Sequence, residues 1–131
     1  MGRQRGPMMY RISIERHFDA AHYLKEYNGK CENLHGHRYK VVANLKTDAL
    51  DEIGLAYDFT VLKKSIDEIL ERFDHTCLND IEPFTSINPS SENIASTICS
   101  ELKVRLDEQV AEIESIEVWE SPDARVTYFP D

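Results

Sequence analysis

Apolar residues recur at every second position near both ends of the chain and at every third or fourth position through its middle, and that order leaves few folds open. Tyr10, Ile12 and Ile14 alternate with Arg11, Ser13 and Glu15, which predicts a strand with one wet face. A loop over residues 24–33, holding Lys25, Glu26, Asn28, Gly29 and Lys30, then returns the chain. The Val-rich run from Tyr39 to Leu45 predicts a second strand, antiparallel to the first. Beyond an acidic turn from Asp48 to Gly54, Leu62, Ile66, Ile69, Leu70 and Phe73 predict an amphipathic helix that Asp58 or Thr60 caps and that ends at Asp74-His75. A loop carrying Asn79, Asp80, Pro83 and Pro89 leads to a second helix, capped by Ser90 or Ser91, with Ile94, Ile98, Leu102 and Leu106 on one stripe. Ile116 and Val118 restore period two, and Ser121-Pro122-Asp123-Ala124 turns into a last strand over residues 125–129. The expected class is α+β: a four-stranded antiparallel sheet in the order ββααββ, with two helices covering one face. Its other face and its edges are left without cover.

A chain of 131 residues is expected to form a single domain over residues 10–131, behind a leader over residues 1–9 that is disordered or an expression remnant. Met8 and Met9 are alternative starts. The formal charge of −9 argues against a nucleic-acid surface and requires a local basic pocket for any anionic substrate. Three cysteines, Cys31, Cys77 and Cys99, are an odd number without framework spacing, which points to a reducing compartment, by default the cytoplasm. No apolar stretch has the length of a signal-peptide core or a membrane span.

The chemistry concentrates in Cys31-Glu32-Asn33-Leu34-His35-Gly36-His37 and in His22 upstream of it. In an extended backbone His35 and His37 point to the same side, and Gly36 leaves the opposite side open. With His22 they form a set of three neutral nitrogens, the set a catalytic zinc uses when its fourth position is left for water or substrate. Cys31 is then a thiol beside a metal, where it can act as base or nucleophile, or a small buried apolar residue. Cys77 and Cys99 are assigned to that second role, and His17 to a structural one. Glu120 shares the parity of Ile116 and Val118, so its carboxylate projects from an apolar face and calls for a partner, such as a ligand edge with two adjacent N–H groups. The alternative is a strand-end glutamate turned to water. Asp74 can orient His75 for acid/base work, or the pair can simply suit a helix C-terminus.

Phe18-Asp19-Ala20-Ala21-His22, Cys31 with three residues before His35-Gly36-His37, Asp74-His75, Pro89-Ser90-Ser91-Glu92-Asn93 and Glu120 together resemble the 6-pyruvoyltetrahydropterin synthase superfamily, of the tunnelling fold. The resemblance runs from about Tyr10 to Phe129. It implies that His22, His35 and His37 hold one Zn2+ per subunit, that Cys31 accepts a proton, and that Asp74 and His75 relay it, His75 serving a neighbouring subunit's thiol. It implies further that Glu120 holds the amino-pyrimidine edge of a pterin, with Ser91 and Glu92 lining the same pocket. The three-residue gap between thiol and His-x-His resembles the carboxypterin-forming branch of the superfamily, whereas the pyruvoyl-forming branch typically has five. The reaction so implied converts 7,8-dihydroneopterin triphosphate to 6-carboxy-5,6,7,8-tetrahydropterin, acetaldehyde and triphosphate, within queuosine biosynthesis. The superfamily joins sheets from several subunits into a barrel, so a homo-oligomer, a hexamer, is implied, with active sites between chains and neither nucleic acid nor membrane as partner. Candidate triphosphate contacts are Lys25, Lys30 and Arg38. The readings held against this one are a pyruvoyl-forming synthase, a zinc hydrolase or lyase of another kind, and a non-catalytic zinc-stabilised binding module.

Overall fold

The computed structural model describes residues 4–26, 33–107 and 110–130. Its elements are β1 (Gln4–His22), β2 (His35–Leu50), α1 (Phe59–Leu70), β3 (Thr76–Cys77), a short 3-10 turn (Leu78–Asp80), α2 (Ser91–Arg105), β4 (Glu112–Ser121) and β5 (Ala124–Tyr128). The alternation that sets in at Tyr10 continues a strand already paired through Gln4↔Leu50 and Arg5↔Ala49, with a shift of register between Arg5 and Tyr10.

The sheet has five strands in the order β3-β1-β2-β4-β5, not the expected four. Four of them pair antiparallel as expected. The fifth, β3, lies parallel to β1 through Ala20↔Thr76 and Ala21↔Cys77. Two residues carry no periodicity, so nothing in the sequence announces such a strand. The chain reaches it through His75, whose φ of 60° turns the backbone and whose N–H donates to Asp19 O.

Asp58 caps α1 by accepting from the Thr60 N–H, and Ser90 caps α2 by accepting from Asn93 N–H. The apolar stripe of α1 overshoots the helix: Phe73 and Asp74 lie in the turns beyond Leu70, both bonded back to the Leu70 carbonyl. Both helices pack on one sheet face, and Leu62, Ile66, Ile69, Ile94, Ile98 and Leu102 are fully buried there against Phe18, Tyr39, Val41 and Ile116. Phe18 and Tyr39 stack at 4.7 Å between ring centroids, and Phe73 and Phe84 extend the aromatic cluster. Arg16 clamps α1 to this face by donating from Nε and Nη2 to the two oxygens of the Asp67 carboxylate. The opposite face carries a polar ladder: Ser13 Oγ donates to Asn44 Oδ1, Asn44 Nδ2 to Ser115 Oγ and Glu117 Oε2, and Trp119 Nε1 to Glu117 Oε1. No helix among the described residues is long and apolar enough to cross a membrane.

Candidate metal centre and substrate cleft

The register of β1 against β2 places the histidines. His22 pairs with His35 and Ala20 with His37, and antiparallel partners share a face, so the imidazoles of His22, His35 and His37 project beside α2 at one end of the core. Gly36 sits opposite Ala21, and an added side chain there would meet the Ala20 carbonyl at an ordinary 3.6 Å, so the sharing of a face by His35 and His37 follows from strand parity and needs no glycine. Ring centroids stand 4.6 Å apart for His22 and His35, 4.8 Å for His35 and His37, and 5.2 Å for His22 and His37.

The partners of these rings fix which nitrogen carries the proton. His22 Nδ1 lies 2.8 Å from Pro89 O, and His35 Nδ1 lies 2.8 Å from Asn33 O. A carbonyl only accepts, so each Nδ1 holds a hydrogen and each Nε2 presents a lone pair. Those two Nε2 atoms face each other at 3.1 Å, a contact that a proton on one ring satisfies and that a metal ion between them satisfies equally. Burial lowers the His37 pKa, Glu120 opposes it, and His22 and His35 push it down further, which favours the neutral form of that ring. His37 Nε2 is buried and makes no hydrogen bond, although Glu120 Oε1 lies 3.0 Å away, because the two miss hydrogen-bond geometry. One ligand atom from each of His22, His35, His37 and Glu120 lies within 4.8 Å of all the others. Converging neutral imidazoles, with an orphaned nitrogen among them, fit a zinc ion.

Tyr39, fully buried, brings its hydroxyl to 3.1 Å from His22 Nδ1. Burial and the nearby Glu120 charge push its pKa well above the ordinary value, so it stays a neutral phenol. Glu120 lies where β4 shifts register between Trp119 and Ser121, on the side of Ile116 and Val118, and Ser91 Oγ donates to its Oε2 at 3.2 Å. A cleft of about 280 Å³ opens over this group, lined by His22, His35, Ser91, Glu92, Glu120 and Arg125 among others. Ser91 and Glu92 line this cleft from the first turn of α2.

Asp74 and His75 form a separate group. Asp74 Oδ2 meets His75 Nδ1 at 2.9 Å and Oδ1 accepts from the Asp19 N–H at 2.8 Å. The Asp74 pKa is lowered chiefly by that backbone hydrogen bond and further by His75. Asp19 alternates with Ala20 along β1 and so faces away from the imidazoles, and the His75 side chain is 79% exposed. Within one chain the Asp74–His75 pair is thus turned from the histidine cluster. Cys31 and Lys30 lie outside the described residues. Of the other expected phosphate contacts, Arg38 pairs with Asp19 on the open face and Lys25 lies in a different depression with Asn79 and Asn88. Arg125, which no motif singled out, borders the cleft, but its guanidinium lies over the Trp119 ring at 4.6 Å, on the open face. Sequence reasoning also missed Pro89 O and Tyr39: a backbone carbonyl has no sequence signature, and Tyr39 reads as one more apolar strand residue.

Residues 11–131 match the family model described as 6-pyruvoyl tetrahydropterin synthase. The chain is 32% identical over 131 residues to the 6-carboxy-5,6,7,8-tetrahydropterin synthase of Bacillus subtilis, covering 95% of this chain and 88% of that one. It is 36% identical over 126 residues to the Synechocystis protein of the same name, with 92% and 94% covered. A Pyrococcus furiosus protein named dihydroneopterin monophosphate aldolase is 33% identical over 113 residues, with 86% and 91% covered. Among solved structures, 6-pyruvoyl tetrahydropterin synthase of Caenorhabditis elegans superposes with a TM-score of 0.85 at 26% identity, covering 100% of both chains.

Proposed function

The chain belongs to the 6-pyruvoyl tetrahydropterin synthase family, and from that premise we propose that it is a zinc-dependent lyase of its carboxypterin-forming branch. In this reading it takes 7,8-dihydroneopterin triphosphate and water to 6-carboxy-5,6,7,8-tetrahydropterin, acetaldehyde and triphosphate, in the pathway to queuosine. The observation that carries the reading is the convergence of His22, His35 and His37 on one point beside Glu120, at the mouth of a cleft. The names of the Bacillus and Synechocystis relatives support the branch, as does the three-residue spacing between Cys31 and His35.

His22, His35 and His37 would hold the zinc, each as a neutral imidazole. Zinc supplies Lewis-acid stabilisation of negative charge on the side-chain hydroxyl oxygens of the substrate. Glu120 accepts two N–H groups from the amino-pyrimidine edge, and Ser91 Oγ keeps the carboxylate turned toward the cleft. Cys31 takes the proton from the side-chain carbon, and Asp74 holds His75 so that its imidazole can pass protons on. Because that pair faces away from its own chain's histidines, it serves the thiol of an adjoining subunit. Proton transfer from side chain to ring reduces the pterin internally, triphosphate departs, and water completes the cleavage that frees the two-carbon aldehyde. No external reductant enters. We assign the enzyme to the cytoplasm, where the Cys77 thiol stays reduced, and to a hexamer of identical chains.

Incubation of the zinc-loaded protein with dihydroneopterin triphosphate, followed by mass spectrometry, tests this reading. Carboxytetrahydropterin and acetaldehyde in equal amounts are expected. Triphosphate release with a pyruvoyl product would move the chain to the other branch. A shortened, still dihydro pterin would favour the aldolase chemistry named for the Pyrococcus relative. A chain that unfolds on chelation and turns over nothing would be a zinc-stabilised binding module.

A further inference from the structure

We propose that Asn88 is a positioning residue for the metal centre, holding both the backbone that leaves His22 and the carbonyl that orients the His22 ring. The inference rests on the reading of the histidine cluster as a metal site.

His22 is the last residue of the β1–β2 ladder, so the placement of its ring depends equally on what holds the chain beyond it. Two asparagines do so. Asn79 Oδ1 accepts from the Tyr23 N–H at 3.0 Å while its Nδ2 donates to Tyr23 O at 2.9 Å. Asn88 Oδ1 accepts from the Lys25 N–H at 2.8 Å while its Nδ2 donates to Lys25 O at 2.7 Å. Each primary amide imitates a neighbouring strand, giving one donor and one acceptor to a single residue's backbone. Aspartate lacks the donor, glutamine is a methylene too long, and alanine has neither group.

Asn88 differs from Asn79 in its neighbours along the chain. The next residue is Pro89, whose carbonyl accepts from His22 Nδ1 and whose ring restricts its own φ. After it come Ser90, the cap of α2, and Ser91, the donor to Glu120. The Asn88 carbonyl is itself held by Asn93 Nδ2 at 2.8 Å. One residue therefore ties the segment after the first metal ligand to the carbonyl that sets that ligand's tautomer and to the helix whose Ser91 holds the pterin anchor. The two bonds to Lys25 are exposed, so water replaces them readily and they add little to stability. Their consequence is geometric. The Pro89 carbonyl is one step removed from the metal, where loss of a partner typically changes affinity by about 10- to 100-fold, and Asn88 acts through it.

The test titrates zinc into the full chain against a chromophoric chelator, for wild type, Asn88→Ala, Asn88→Asp and Arg72→Ala. Arg72 bonds to Glu101 and to the Glu82 carbonyl, neither of which lines the cleft, so its loss controls for general destabilisation. Asn88→Ala is expected to weaken zinc binding by about tenfold or more, with a melting temperature no lower than that of Arg72→Ala, whose zinc affinity stays at the wild-type value. Asn88→Asp keeps the acceptor for Lys25 N–H and serves where the alanine variant folds poorly; it too is expected to lose affinity. Wild-type affinity in both Asn88 variants, or an equal loss in Arg72→Ala, would overturn the proposal. A wild-type chain that binds no zinc would instead overturn the metal reading beneath it.

Discussion

A neutral imidazole buried against a carboxylate, with no hydrogen bond to its outer nitrogen, is costly unless that nitrogen has another partner, and His37 is in that position. The sequence exposed His22, His35, His37 and Glu120 because parity along a strand is readable one residue at a time. It did not expose Pro89 O or the Tyr39 hydroxyl, which matter to His22 only through contacts across the fold. In the proposed mechanism the thiol moves a proton and binds no metal. Cys31→Ala should therefore abolish turnover while metal analysis still finds about one zinc per chain, and a fully active variant would remove the thiol from the mechanism. Asp74 gives a pH-dependent prediction. Its carboxyl is held below the ordinary 3.8 by the Asp19 N–H and then by His75. A carboxylate with a depressed folded pKa stabilises the fold above its unfolded value and loses that contribution as pH falls through the folded one. Asp74→Asn should melt below wild type at neutral pH, and the gap should close under acid conditions below pH 3.8. Calorimetry across that range checks it, and a gap of constant size would deny the linkage.

At the level of elements, α2 joins core and site. Its buried Ile94, Ile98 and Leu102 anchor it to the sheet, and its first turn delivers Ser90 as cap and Ser91 as holder of Glu120. The two serines looked interchangeable in sequence. Only the direction of each side chain separates their roles. Ile98 is fully buried between helix and sheet, so Ile98→Ala should cost about 2–5 kcal/mol by urea unfolding. Part of that loss should appear as weaker substrate binding, since α2 carries the Ser91 contact. The helices and the four antiparallel strands were legible because each spans enough residues to show its period. The β3 strand was not, because two residues against the edge of β1 are fixed by the turn through Asp74 and His75 and not by their own side chains.

For the whole molecule, the sheet ends in β3 on one side and β5 on the other, and its face opposite the helices carries the ladder from Ser13 to Trp119. Strand edges are templates for pairing with another chain, and among the described residues the Asp74–His75 pair is turned from the histidine cluster of its own chain. Light scattering is expected to give the mass of six chains at working concentration, and a monomer with full activity would refute the shared site. The sequence by itself determined the class of fold, the two helices, the strands that hold the imidazoles and the carboxylate opposite them, because period and parity are local properties of a backbone. The tertiary structure alone decided that Pro89 O sets the tautomer of the His22 ring and that Arg38 and Lys25 lie away from the cleft. It also placed Asp74 and His75 on the far face. Each of these depends on which distant segments meet, and a contact between distant segments leaves no period in the chain.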